Sequence, residues 1–501
     1  MRKTLFILCL FIISGNLFSQ NYHYDFNDRC QRAYEKIILL QMDSAQYLIR
    51  LEQKKNPSNL IPVLLVNYYD FIEIVIHENE ALFEQKKEEK KTRLNLWKQG
   101  PKNSPWYLSG QAQIKLQWAF TRVLFDEYFT AATEINSAYH ILEENKQLYP
   151  EFLADNMGIG ILHAMIGVIP DQYQWALDMF GFYGSIELGV TEIKKQLEEQ
   201  ENDVFHAEAL FYYSFVRMNL QTDAIRFSEL LQYYETDLFK NGGQQSPLLS
   251  FSKAVILLKI DNDEAIHFLQ NLKFNEEQAK FHYNTFLLGQ ALLYQLNPAS
   301  TKYLEDYIKN YPGNNYKKTA LQRQAWSQFI IGDTLAYQRL MKKVLLTGTE
   351  LLDADKSAKK EALAVEEGYL PNVHLLKSRI QFDGHYYKGA LMELNHMDLS
   401  QAQSADQLEY HYRKGRIYHE MHRYPKANKA YNVALNKGKD QNSYYAANAS
   451  LKMGEIAEEE KNWTKAKQYY KTCLSLDFSE YRRGIRAKAK AGLQRVERMM
   501  D

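Results

Sequence analysis

Three segments near the C-terminus repeat one another, and that repeat limits what the chain can fold into more than any other feature. Lys377-Ser-Arg-Ile-Gln-Phe-Asp-Gly-His-Tyr-Tyr-Lys-Gly-Ala390 aligns without gaps to Lys414-Gly-Arg-Ile-Tyr-His-Glu-Met-His-Arg-Tyr-Pro-Lys-Ala427, and less closely to Met453-Gly-Glu-Ile-Ala-Glu-Glu-Glu-Lys-Asn-Trp-Thr-Lys-Ala466. Each copy sets a small residue (Ser378, Gly415, Gly454) on a first helix and Ile two later (Ile380, Ile417, Ile456). An aromatic follows at the turn (Tyr387, Tyr424, Trp463), and Ala on a second helix (Ala390, Ala427, Ala466). Antiparallel helices approach closely where a Gly, Ala or Ser of one lies opposite the Ala of its partner, with the aromatic wedging the pair. Residues four after the Ala (Leu394, Tyr431, Tyr470) are expected to face the next unit. A lone hairpin leaves one apolar side uncovered and stacking hides it, so such units imply an array.

The small, aromatic and Ala spacing resembles the tetratricopeptide repeat. A weaker copy with Ala33, Ala45 and Pro57 predicts helices over about 27–40 and 43–54. Between these ends, amphipathic stretches at 68–97, 111–125, 129–148, 205–220, 222–235, 247–259, 263–272, 278–295, 300–311 and 316–329 alternate with breakers at 100–101, 241–243, 297–298 and 311–313. No sustained period-two alternation occurs, and 11 Pro and 23 Gly in 501 residues leave little material for tight turns. The expected fold is all-α, a right-handed superhelical solenoid of tetratricopeptide-type antiparallel helix hairpins. Its expected parts are a signal peptide (1–20), degenerate repeat-like helices (21–150), a glycine-rich helical insertion (151–195), further degenerate helices (196–365) and C-terminal repeat units (366–501).

The first twenty residues read as an address. Arg2 and Lys3 precede the apolar run Leu5 to Ile13, and Ser14, Gly15 and Ser19 follow, the order of a secretory signal. Cleavage near Ser19 would leave Gln20 or Asn21 first, and the Leu-Phe-Ser-Gln ending resembles exported proteins of Gram-negative bacteria. The expected location is the periplasm, the outer membrane or the cell exterior. Cys9 lies inside the apolar run, so no lipid anchor is read, and no stretch reaches the ~20 apolar residues of a membrane helix. Peripheral envelope association stays open. Lys plus Arg and Asp plus Glu are both 61, which leaves no global field for nucleic acid. Cys30 and Cys473 lie in the first and last helical units and are expected to be buried, small and unpaired.

The segment from Met157 to Pro170, with Phe180 to Gly189 after it, breaks the repeat. Its Gly158, Gly160, Pro170, Gly181, Phe182, Gly184, Glu187, Leu188 and Gly189 are similar to the glycine-punctuated insertion of the tetratricopeptide repeat domain 39 and inclusion-body clearance family. Ser185-Ile186 stand where that family's charged pair is expected. The resemblance implies a non-enzymatic helical adaptor. Gly158-x-Gly160 lacks a strand-turn-helix setting and no Walker pattern exists, so the glycines point to close helix crossing instead of phosphate binding. The insertion is also a second candidate interaction surface.

Catalytic patterns are weak. His419-Glu-Met-His422 puts its histidines three apart, where a zinc helix needs four. His374 and His411 occupy equivalent repeat positions and read as packing or groove residues. No Gly-x-Ser-x-Gly elbow occurs, and the mixed run Lys86 to Arg93 reads as the solvated end of a long helix. Neither an enzyme activity nor a cofactor or metal is expected.

Function is then expected in the groove lined by the first helices. There the positions six and three before, and one and four after, the small residue point inward. The candidate partner-binding residues are Asn372, Arg379, Phe382, Tyr412, Arg416, His419 and Asn448, with Leu375, Glu409, Leu451, Glu455 and Glu458 at the remaining positions. Arg379 and Arg416 are expected to stack one above the other and to hold the carboxylate or backbone of an extended peptide. Of the 36 tyrosines, pairs such as Tyr68-Tyr69, Tyr212-Tyr213, Tyr233-Tyr234 and Tyr444-Tyr445 are expected to leave some rings exposed, because neighbours lie about 100° apart on a helix. The expected role is an exported scaffold or adaptor for a protein or peptide segment in cell-envelope assembly. The alternative is a glycan-binding outer-membrane receptor subunit of the starch-utilisation type, whose lipid-anchor Cys and Trp-rich loops this chain lacks.

Overall fold

The computed structural model describes residues 21–169, 174–199, 204–223, 225–236, 239 and 246–500. The stretch 1–20 expected to be a signal peptide, Pro170 and the breaker at 241–243 lie outside the described residues. Among the described residues there are α-helices, one 3-10 turn and no strand, so the all-α solenoid expectation holds. Two compact units divide the chain between Val216 and Arg217, with Glu277–Ala279 counted in the first.

The first unit contains α1 (Asp28–Ile38), α2 (Met42–Lys55), α3 (Ile61–His77), α4 (Glu80–Lys86), α5 (Glu89–Trp97), α6 (Pro105–Leu124), α7 (Tyr128–Leu148), α8 (Asn156–Ile166), α9 (Gln174–Phe180), α10 (Ile186–Glu199) and the start of α11 (His206–Leu220). Helices α1 and α2, α6 and α7, and α8 and α10 pack as pairs. The stretch read as one helix over 68–97 is three. Glu78 takes a left-handed φ of 48°, Asn79 caps α4 by accepting from the Leu82 N–H, and the chain turns again before α5. The charged run is solvated only in part, with Glu88, Glu89 and Lys91 exposed. Arg93 is buried, ion-paired to Asp70, and donates to Asn67 Oδ1 at 3.0 Å, while Lys90 pairs with Glu134.

The glycine segment folds as the spacing predicts. Helices α8 and α10 cross at Gly160 and Gly189, where a Cβ on Gly160 would come within 2.8 Å of the Gly189 carbonyl oxygen. One on Gly189 would run into the carbonyl of Gly160 and within 2.7 Å of the Ala164 nitrogen.

The second unit holds the end of α11, then α12 (Arg226–Tyr233), α13 (Pro247–Leu257), α14 (Asn262–Asn271), α15 (Tyr283–Tyr294), α16 (Ser300–Asn310), α17 (Lys317–Ile330) and α18 (Thr334–Leu346). It continues with α19 (Asp353–Glu366), α20 (Val373–Asp383), α21 (Tyr387–Asn395), α22 (Ser404–Glu420), α23 (Tyr424–Gly438), α24 (Tyr445–Glu459), α25 (Trp463–Ser475) and α26 (Arg482–Met500). The three repeat copies are the hairpins α20/α21, α22/α23 and α24/α25, and α20, α22 and α24 lie side by side. Helix α19, which lies beyond the last periodic stretch, packs on both α17 and α18 and makes that unit three-helical.

Ala390, Ala427 and Ala466 are fully buried. What faces Gly415 and Gly454 is a ring, not only the alanine. A Cβ on Gly415 would come within 2.6 Å of Tyr431, and one on Gly454 within 2.6 Å of Tyr470. Tyr431 and Tyr470 therefore cover their own hairpins as well as serving the next unit; Tyr470 also lies against Gly492 of α26. The turns run through His385, His422 and Lys461 at φ of 66°, 54° and 57°. His385 and His422 each set Nδ1 2.9 Å from the hydroxyl of the turn tyrosine, Tyr387 or Tyr424. His422 thus belongs to a repeated turn and not to a metal helix.

Cys30 and Cys473 are free and buried, and burial pushes each thiol up to about 12. The tyrosine pairs depart from expectation. Tyr68, Tyr213 and Tyr234 are buried and their neighbours half-buried, because inner helices of a stack are covered on more than one side. The exposed rings are elsewhere, at Tyr47, Tyr128, Tyr183, Tyr369 and Tyr481.

Candidate functional site

A cleft of about 390 Å³ opens over the first helices of the C-terminal repeats. Its floor is α20 and α22, which supply Asn372, Leu375, Arg379, Phe382, Glu409, Tyr412 and Arg416. One wall is α19, with Lys360 and Glu361, and the connection bearing Tyr369 and Pro371; the other is Tyr444, Tyr445, Glu480 and Tyr481.

The helical repeat places the cations. An Arg-x-x-aromatic spacing recurs as Arg323-x-x-Trp326, Arg379-x-x-Phe382 and Arg416-x-x-His419, and residues three apart share a helix face. Arg323 and Arg379 both lie over the Trp326 ring, their guanidinium carbons 4.3 Å and 4.9 Å from its centroid. Arg416 sits 4.8 Å over Phe382. Each guanidinium thus rests on an aromatic, an attraction of about 0.5–2 kcal/mol that fixes position without consuming its N–H donors.

Four of the eight charged side chains lining the cleft are paired with one another. Arg413 donates from Nε to Glu409 at 2.6 Å, and Lys360 pairs with Glu480. Glu361 accepts from Gln322 at 2.7 Å, Trp326 Nε1 at 2.7 Å and the Tyr337 hydroxyl at 3.2 Å. Arg379 and Arg416 differ. Among the described residues Arg379 has no hydrogen bond or ion pair. Among the same residues Arg416 donates only to the Tyr412 hydroxyl at 3.2 Å, and its buried Nε has no partner there. Burial and the nearby Arg413 oppose the Arg379 charge, but Asp383 and Glu361 outweigh them and hold its pKa up.

Five of the seven candidate residues meet in this cleft: Asn372, Arg379, Phe382, Tyr412 and Arg416. Asn372 caps α20, accepting from the His374 and Leu375 N–H groups, which leaves its side chain engaged. Asn448 stands behind the lining, donating to the Tyr412 hydroxyl at 2.6 Å. His419 does not line the cleft; its Nδ1 is 3.4 Å from the Tyr431 hydroxyl, and burial pushes it down to about 4. In the third copy Glu458 is taken up by Arg495 of α26 at 2.8 Å, so the lined face ends there. Helix α19, Tyr369 and Tyr481 have no repeat signature. The Arg323/Trp326 pair carried one, in its spacing.

In the first unit the insertion exposes a run of large apolar side chains: Met165, Val168, Ile169, Trp175, Met179, Phe180, Tyr183 and Leu188. Among the described residues one His/Glu cluster has metal-compatible spacing, His374, Glu393 and His396, and it lies off the cleft.

Residues 65–295 match the model of the Iml2/Tetratricopeptide repeat protein 39 family, a span that contains the glycine segment. No curated protein matches the chain. The matched span and the paired helices agree in pointing to a tetratricopeptide-like helical repeat.

Proposed function

We propose that this chain is an exported, non-enzymatic scaffold that holds a protein segment in the cleft over α20 and α22, in cell-envelope assembly. The observation that carries the reading is the pair Arg379 and Arg416, set on aromatic rings with their donors largely unused inside a concave site. Charge-assisted, bidentate hydrogen bonds to a carboxylate are the interaction such guanidiniums make best. Tyr369 and Tyr481, 47% and 62% exposed, flank them and offer flat apolar contact to an extended chain. The basic, apolar and small-residue order of residues 2–19 supports export.

Crosslinking and pull-down from native cell envelope, comparing the mature protein with R379E/R416E, tests the reading. The expected result is a specific protein partner lost in the variant, which keeps its helical circular-dichroism spectrum. Retention on immobilised glycan with no protein recovered would replace it with the carbohydrate-receptor alternative, for which the same exposed tyrosines are stacking surfaces. N-terminal sequencing of the fractionated protein is expected to start at Gln20 or Asn21.

A further inference from the structure

Helix α20 begins with His374 in its first turn, and α21 ends with Glu393 and His396. The short turn between these helices brings the three side chains together. His374 Nδ1 is 3.0 Å from Glu393 Oε2, His396 Nδ1 is 4.0 Å from the same oxygen, and the imidazole centroids are 5.8 Å apart. One ligand atom from each residue can be chosen so that all lie within 4.8 Å of one another.

A hydrogen bond between His374 and Glu393 accounts for two of these groups. It does not account for a second imidazole on the same carboxylate, nor for a carboxylate whose only ion-pairing neighbours are histidines. Among the described residues Glu393, 17% exposed, has no Lys or Arg within ion-pair distance, whereas Glu409 and Glu480 of the adjacent cleft are paired to cations and Glu361 is hydrogen-bonded. Ligands about 2.0–2.1 Å from a tetrahedral ion lie about 3.3 Å from one another. The observed 3.0 Å and 4.0 Å bracket that spacing, and His396, 61% exposed, has room to close the difference.

We propose that His374, Glu393 and His396 form a binding site for a divalent transition-metal ion of the zinc class, with water in the remaining position. Two imidazoles and one carboxylate favour zinc, cobalt, nickel or copper over calcium or magnesium, which take oxygen. The carbonyl-rich end of α21 adds partial negative charge beside the ion. The ion clips the hairpin whose first helix carries Asn372, Arg379 and Phe382, so it stiffens one side of the cleft. The site stands on its own geometry and not on the peptide reading. The equivalence of His374 with His411 predicted a packing or groove role, because Glu393 and His396 have no part in the repeat pattern.

The test is titration of the metal-free full chain with Zn²⁺ by calorimetry, and with Co²⁺ by visible absorption. The expected result is one saturable equivalent, with the intense d–d bands of four-coordinate cobalt. Both are lost in His396→Ala, whose exposed ring lets the chain fold, and in Glu393→Gln. Zn²⁺ is expected to raise the melting temperature of the wild type but not of His396→Ala. A wild-type titration indistinguishable from that of His396→Ala would overturn the site, because binding would then belong to other histidines.

Discussion

Asp155 shows how one buried residue sets a pH response. Burial pushes its carboxyl up to about 6, although Asn145 donates to it at 2.5 Å. The unfolded chain loses this proton near 3.8. Between those values the folded state holds a proton that the unfolded state has released, so the contribution to stability is present below 3.8 and lost as pH rises through about 6. At 1.36 kcal/mol per unit the loss is at most about 3 kcal/mol. Chemical denaturation of Asp155→Asn from pH 4 to 7 is expected to lack this component. His419 runs the other way: its folded pKa is depressed to about 4, so its contribution is present above the usual imidazole value and lost as pH falls towards 4. No residue-level pattern announces either shift, since each depends on which distant atoms displace water from the group.

At the scale of elements, the α8/α10 crossing depends on backbones that touch. Gly189→Ala places a methyl against the Gly160 carbonyl and the Ala164 nitrogen, both backbone atoms that cannot rotate away. The expected cost is about 1–3 kcal/mol, measured as a lower urea midpoint. Gly484→Ala is the control: it lies in α26 with nothing within 4 Å, and is expected to stabilise by about 0.4–1 kcal/mol. This crossing was legible in the sequence because glycines spaced along an apolar helix carry a local signature. The break inside 68–97 was not. The left-handed residue there is Glu78, and at the repeat turns it is His385, His422 and Lys461, so the left-handed positions lack the glycine that usually fills them.

On the scale of the whole molecule, each unit keeps its own strong points. Asp355 of α19 is fully buried and closes the N-terminus of α17, accepting from the Tyr316 N–H at 2.8 Å, the Thr319 N–H at 2.9 Å and the Thr319 hydroxyl at 2.7 Å. Asp355→Ala orphans these donors and is expected to cost about 2–4 kcal/mol. Asp355 and Gly189 belong to different units and share no partner. The losses in Gly189→Ala/Asp355→Ala are therefore expected to add within about 0.5 kcal/mol in urea denaturation. A large coupling term would show the two units to be energetically linked.

The sequence by itself determined the all-helical class, the hairpin repeat and the face on which Arg379, Phe382, Tyr412 and Arg416 meet. Those follow from contacts three or four residues apart and from a spacing repeated in neighbouring hairpins. Only the tertiary structure decided which cations are spent. Lys360 is neutralised by Glu480, 120 residues away, and Arg379 rests on Trp326 of another hairpin while keeping its donors unused. Pairing of charges is a property of spatial neighbours brought together by stacking, and no local spacing records it.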